Sequence, residues 1–199
     1  MRILTISDRV EPILYDHFDA RRFEGIDLII SCGDLPPEYL TFLTARLQVP
    51  LFFVKGNHDI RYDQKPPDGC TNIHAKLVRF HDLRIIGLEG SRWYNGGPNQ
   101  YTDRQMKQLV RRLRLRLWWK GGIDMVVSHA PPRHIHDAED RCHKGFNSFH
   151  TLITRHKPRF FVHGHIHAHF NHFEERVTQI NQTKVINSYG HTTLEINPR

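Results

Sequence analysis

Five short apolar runs in this 199-residue chain stop abruptly at polar clusters, and no other feature constrains the fold as much. Residues 2–6 run into Ser7-Asp8, and residues 27–31 into Gly33-Asp34. Residues 51–54 run into Gly56-Asn57-His58-Asp59, and residues 124–128 into His129. Residues 159–162 run into His163-Gly164-His165-Ile166-His167. Such brief runs of Val, Ile, Leu and Phe are the mark of buried strands. Between the first three lie two Pro-initiated stretches. The first predicts a helix over 12–22 with Ile13, Leu14, His17 and Phe18 on one face. The second follows Pro36-Pro37 and carries Tyr39, Leu40, Phe42, Leu43 and Leu47. Strand–helix–strand succession predicts parallel neighbours, and an open α/β sheet carries its site at the carboxyl ends of its strands. Asp8, Asp34 and Asn57 then share one edge.

The remainder is predicted in the same way. Residues 61–69 form a polar, Pro-rich loop. Residues 76–80 and 83–88 read as a hairpin. Residues 89–100 are rich in Gly, Asn and aromatics, and their length marks a functional loop. Trp93, Tyr94 and Asn95 on it could wall a pocket and stack a base. Thr102 with Gln105 caps a helix running to Lys120, with Met106, Leu109, Val110, Leu113 and Leu117 as its apolar stripe. Gly121-Gly122 stops it. Residues 130–147 form a second long polar loop, followed by a short helix over 146–155. Residues 170–174, 177–180, 184–188 and 192–196 read as short closing strands.

Composition narrows the function classes. With 39% apolar and 25% charged residues, the chain reads as one globular domain over 1–199, with no internal repeat or linker. No apolar run approaches the ~20 residues of a membrane span. An acid at position 8 interrupts the first run where a secretory leader would continue. Cys32, Cys70 and Cys142 match neither a disulfide framework nor a Cys-based zinc site, so a cytoplasmic setting is expected. The formal charge is +7, much of it in Arg104, Lys107, Arg111, Arg112, Arg114, Arg116 and Lys120. That segment reads as a solvated helix face, or as an attractor of phosphates or nucleic acid. Of the 16 His, 11 fall between His129 and His172, which points to a metal or phosphate site.

Asp8, Asp34, Asn57, His129, His165 and His167 supply only oxygen and imidazole nitrogen. That donor set suits Mn, Fe, Zn or Ni. Six donors are too many for one open site and suit two metals sharing a carboxylate. Two cations about 3.5–4 Å apart clamp a phosphoryl group.

Gly33-Asp34, Gly56-Asn57-His58-Asp59, Ser128-His129 and Gly164-His165-Ile166-His167 resemble, in order and spacing, the motifs of the calcineurin-like metallophosphoesterases. The resemblance implies an α/β fold, a four-layer α/β/β/α sandwich of two mixed sheets flanked by helices. It implies that Asp34 bridges two divalent ions, Mn first, with Fe, Zn and Ni also fitting. Asn57, His129 and His165 complete one position, and Asp8 and His167 serve the other. His58 is the catalytic acid that protonates the leaving oxygen, with Asp59 as its carboxylate partner or as a turn cap. The chain departs from the family at Asp8-Arg9-Val10, where the family carries a His in the third place. One position then keeps only Asp8, Asp34 and His167, and is weakened or empty. Arg9, His136, Asp137 and His143 are candidates for contacting substrate.

The function expected is hydrolysis of phosphate esters, diesters first, through a metal-bound hydroxide on a small phosphate-ester substrate. A nuclease acting on DNA or RNA and a metal-binding, non-catalytic phosphate-ligand module are the alternatives, raised by the basic segment and by Val10 respectively. The compact size leaves little room for a capping domain, so an accessible site is expected.

Overall fold

The computed structural model describes residues 1–119 and 122–197, with the backbone alone over 114–119. Strands β1 (Arg2–Ser7) and β2 (Leu28–Ser31) lead to helix α1 (Pro37–Leu47). Strands β3 (Leu51–Phe53), β4 (Cys70–Asn72), β5 (Leu77–Phe80) and β6 (Leu83–Leu88) follow. A small pair, β7 (Ser91–Arg92) and β8 (Gln100–Tyr101), closes the Gly-rich loop. Then come α2 (Asp103–Trp119), β9 (Met125–Ser128), α3 (Ser148–His156) and β10 (Phe160–His163). Strands β11 (Val177–Ile180), β12 (Thr183–Asn187) and β13 (Gly190–Glu195) end the described chain.

The strands form two mixed sheets. One has the order β13-β1-β2-β3-β4, with only β13 antiparallel to its neighbour. The other has the order β11-β12-β10-β9-β6-β5, with antiparallel pairs at its two edges. Strand alternation explains the layers. Ile3, Leu28 and Ile30 of the first sheet face Ile85, Met125, Val127, Val162 and Ile186 of the second across a shared core. Their neighbours Leu4, Ile6 and Ile29 turn outward onto Tyr39, Leu40 and Leu43 of α1. Ile86, Val126, Phe161 and Val185 turn outward onto Met106, Val110 and Leu113 of α2 and Phe149, Leu152 and Ile153 of α3. This is the four-layer α/β/β/α sandwich expected. Runs apolar on both faces are what strands buried on both sides require.

Helix α2 starts as expected. Gln105 Oε1 accepts from the Thr102 backbone N at 2.8 Å, and Thr102 Oγ1 accepts from Gln105 N at 3.3 Å. Met106, Val110 and Leu113 are buried and Leu109 packs beside them. Arg104, Lys107, Arg111 and Arg112 are exposed. The expectations for the side chains of Arg114, Arg116, Leu117 and Lys120, and for Gly121 as the stop, lie outside the described residues.

Two expectations are corrected, and one strand carries no sequence signal. The helix expected over 12–22 is two short 3-10 turns, Pro12–Leu14 and Ala20–Phe23. The chain between them is held by aromatic contacts, with Tyr15 edge-on to Tyr39 and Phe42, and Phe18 packed on Phe42 and Phe23. The closing strand expected over 170–174 is instead a 3-10 turn, Phe173–Arg176. Strand β4, which extends the first sheet beyond β3, has only three residues and none of them is bulky and apolar. Among the described residues, no helix is long and apolar enough to cross a membrane.

Candidate metal centre

The six expected donors converge from the carboxyl ends of β1, β2, β3, β9 and β10, so both sheets contribute. Asp8, Asp34 and His165 each lie just past a strand and adopt positive φ, 63°, 56° and 68°. This conformation is uncommon for L-residues, and Asp and His are among the types that adopt it most readily. Three such residues at adjoining strand ends mark a backbone bent to aim side chains, with strain met by the surrounding packing. Glycines make room for the aim. A Cβ on Gly56 would overlap the Asp34 carboxylate, and one on Gly164 would overlap Ser7 and Asp8. The backbones therefore approach as closely as the side chains do.

On one side, His129 is fully buried. Its Nδ1 donates to the Cys32 carbonyl at 2.8 Å, which leaves the Nε2 lone pair facing outward. That Nε2 stands 3.1 Å from Asn57 Oδ1 and 3.3 Å from Asp34 Oδ2. The His165 ring lies 4.7 Å from that of His129, and its Nε2 is held by the Cys142 carbonyl at 2.7 Å. With Nε2 donating there, Nδ1 of His165 keeps its lone pair. Asp34, His129 and His165 offer ligand atoms within 4.8 Å of one another.

On the other side, Asp8 Oδ2 accepts from the His165 backbone N at 2.8 Å. Asp8 Oδ1 is buried without a hydrogen bond, and His167 Nε2 stands 3.5 Å away. Tyr189 stacks on the His167 ring, with centroids 4.9 Å apart. A buried, unpaired carboxylate oxygen is costly unless a cation answers it. This orphan, with the outward lone pair of His129, fits a divalent ion among these donors. Val10 contributes nothing to it, since its side chain packs on the cluster that contains Leu4, Ile6 and Leu14.

Electrostatics agree with a cation-binding role. Burial opposes charge on Asp34, but His129 and the His58 backbone N hold its carboxyl well below the usual range. Burial likewise opposes charge on His129, yet Asp34 beside it and Asp8 behind it raise its pKa to about 9. Burial lowers His165, and the charge on His129 lowers it further, to about 4. In the absence of metal, one proton on His129 thus stands where a cation would serve.

The remaining expected residues divide. His58 is exposed, and its backbone N donates to Asp34 Oδ1 at 2.8 Å, so the residue stands beside Asp34. Asp59 is not its partner. Asp59 accepts from Asp34 N, Leu35 N and Gly56 N at 2.8, 3.1 and 2.7 Å and ties the turns that carry Asp34 and Asn57 together. Arg9 is half exposed, with its Nε 3.4 Å from Glu11. The His143 ring lies 5.2 Å from that of His165. His136 and Asp137 are spent on contacts inside the protein. His136 is bonded to His163 and Thr178, both at 2.8 Å, and Asp137 to Arg133, His134 N and Gly145 N. Asp137 therefore builds the loop, and His136 pins it to β10 and β11. The backbone carbonyls of Cys32 and Cys142 orient His129 and His165, and Tyr94 accepts from Asn57 Nδ2 at 3.3 Å. No sequence signal marks a carbonyl that acts across 97 residues.

A family model described as calcineurin-like phosphoesterase matches residues 1–169. The chain belongs to that family. Solved structures similar to this calcineurin-like phosphoesterase share its fold at low identity. One aligns over 97% of this chain and 94% of its own, with TM-score 0.68 and 14% identity. A Staphylococcus aureus protein assigned as a 5'-nucleotidase aligns over 98% of this chain at 15% identity and TM-score 0.59. This chain spans about half, 51%, of that protein's length. GAP50, the anchor in the inner membrane complex of Plasmodium, aligns over 94% of this chain and 70% of its own, with 14% identity and TM-score 0.56. No curated protein matches the sequence.

Proposed function

We propose that this calcineurin-like phosphoesterase hydrolyses small phosphate esters, diesters first, with two divalent cations at the strand ends, Mn first among them. The buried Asp8 Oδ1 carries the reading: it has no hydrogen bond and only the His167 imidazole at 3.5 Å beside it, a pairing that a cation would complete. Asp34 would be shared. Asn57, His129 and His165 would complete the position whose donors are all present. Asp8 and His167 would hold the position thinned by Val10.

Bound there, the cations would offset charge on the phosphoryl oxygens and ionise water at neutral pH. The chain's own residues do the rest. Asp59 locks the turns that carry Asp34 and Gly56, so the donor geometry is set before substrate arrives. Cys32 and Cys142 fix the tautomers of His129 and His165. His58, exposed beside Asp34, would give its proton to the departing oxygen as the P–O bond breaks. Arg9 and His143 would contact substrate oxygens. The exposed cations of α2 lie on the helix packed against the outer face of the second sheet, which favours a small ester over nucleic acid.

The test is elemental analysis after Mn loading, beside turnover of a phosphomonoester and phosphodiester panel, for the native chain and Val10→His. Bound metal with turnover is expected, and Val10→His should raise occupancy of the thinned position. A loaded chain that retains metal but turns over no ester would favour the non-catalytic binding module instead.

A further inference from the structure

A second feature stands beside the metal centre and is absorbed by none of the roles above. Arg92, Trp93, Tyr94, Arg141 and Lys144 line a cavity of about 360 Å³. That lies within the ~300–1,000 Å³ of ligand pockets. Two contacts connect it to the site. Tyr94 Oη accepts from Asn57 Nδ2 at 3.3 Å. Arg141 and Lys144 bracket Cys142 and His143, whose carbonyl and ring meet His165. The cavity therefore adjoins the strand-end site.

Its walls are rigid and chemically mixed. Gln100 Oε1 accepts from Tyr94 N and Asn95 N at 3.1 and 3.2 Å, and Trp93 N donates to Tyr101 O at 3.0 Å. Asn99 Nδ2 donates to Gly56 O at 3.0 Å and fastens the aromatic loop to the turn that carries Asn57. Arg92 reaches across to the Gly145 carbonyl and joins the two loops. Trp93, held on this rigid loop, is nevertheless 57% exposed. A large ring held in water by a fixed backbone is a stacking platform in waiting. Around it stand three cations. Arg141 makes no ion pair among the described residues, and Lys144 has only Glu139 at 3.8 Å, which Arg133 holds more closely at 2.7 Å.

We propose that this cavity is the specificity subsite, and that it takes a nucleotide bearing a phosphate beyond the one cleaved. Trp93 stacks the base, while Arg141 and Lys144 pair with the additional phosphate. The inference rests on the phosphoesterase reading for the cleavage itself. In that step water adds its oxygen to phosphorus and loses one proton to solvent, the ester P–O bond breaks, and the departing oxygen leaves as an alcohol with the proton from His58, which solvent then reprotonates.

The test reads binding without turnover. ADP is titrated into metal-free protein and followed by tryptophan fluorescence, beside adenosine and pyrophosphate. ADP is expected to quench, with adenosine and pyrophosphate each weaker by about tenfold or more, since each lacks one of the two contacts. Trp93→Phe should remove the quench, and Arg141→Ala with Lys144→Ala should weaken ADP by about tenfold or more. These side chains are at the surface, and far-UV circular dichroism establishes that each variant is folded. Failure of ADP to bind, equal affinity for pyrophosphate, or unchanged affinity in the double variant would overturn the proposal. Binding of ADP by a protein that turns over no ester would overturn the phosphoesterase reading and leave the nucleotide subsite standing. Ester turnover with no ADP binding would do the reverse.

Discussion

At the scale of single residues, His129 joins the site's electrostatics to metal binding. Its Nδ1 is committed to the Cys32 carbonyl, so any cation must use Nε2. Asp34 and Asp8 outweigh burial and hold the metal-free imidazole at about 9. The sign follows directly. Below pH 9 the free site is protonated, and metal must displace that proton. Affinity at the position shared by Asn57, His129 and His165 is therefore expected to rise with pH between 6 and 8, by about tenfold per unit. Proton release of about one per ion should accompany it. Calorimetric titration of Mn in two buffers of different ionisation enthalpy measures both, and an affinity that does not change with pH would contradict the assignment.

Much of the site at this scale is legible in the sequence, because each donor directly follows an apolar run. Asp8, Asp34, Asn57, His129 and His165 announce themselves as polar groups where a buried strand stops. The parts that are not legible act through the backbone or across the fold. The carbonyl of Cys142 meets His165 from 23 residues away. Asp59 reads equally well as a partner of His58 and as a cap. Only the approach of the Asp34 and Gly56 amides decides for the cap. His136 and Asp137 sit in the right loop, but His163, Thr178 and Arg133 satisfy them.

At the scale of elements, local chemistry and tertiary packing make separable contributions. The Thr102–Gln105 cap of α2 is local, and sequence spacing alone predicts it. Phe161 on β10 is different. It is fully buried, 5.3 Å from the Phe149 ring of α3, in the cluster that fastens both helices to the second sheet. Thr102→Ala is expected to cost about 1 kcal/mol. Phe161→Ala is expected to cost about 3–5 kcal/mol, since the cavity it leaves cannot collapse between strand and helix. Urea unfolding of the two variants measures the difference, and equal costs would contradict this division. The same contrast explains the misread helix over 12–22. Its periodicity is genuine, and Tyr15 and Phe18 do share a neighbour in Phe42 of α1, but the Asp19 side chain accepts from Arg21 N and starts a separate 3-10 turn.

At the scale of the whole molecule, two sheets of unlike topology are stacked so that the carboxyl ends of β1, β2 and β3 face those of β9 and β10. Neither sheet holds a complete set of donors. Asp8, Asp34 and Asn57 come from one, and His129, His165 and His167 from the other, so the site exists only when the sandwich is assembled. The loops that carry Trp93 and Arg141 rise from the same end and add a basic, aromatic wall. Function is therefore concentrated at one end, while α1, α2 and α3 cover the outer faces. The account as a whole stands on Asp34 acting as the carboxylate shared by two cations. The most direct measurement is the rate of bis(4-nitrophenyl) phosphate hydrolysis by the Mn-loaded chain and by Asp34→Asn. Metal-dependent turnover is predicted, with a loss on the order of a thousandfold in the variant, equivalent to about 4 kcal/mol of transition-state stabilisation. No turnover with Mn, Fe, Zn or Ni, or an Asp34→Asn variant as fast as the native chain, would contradict it.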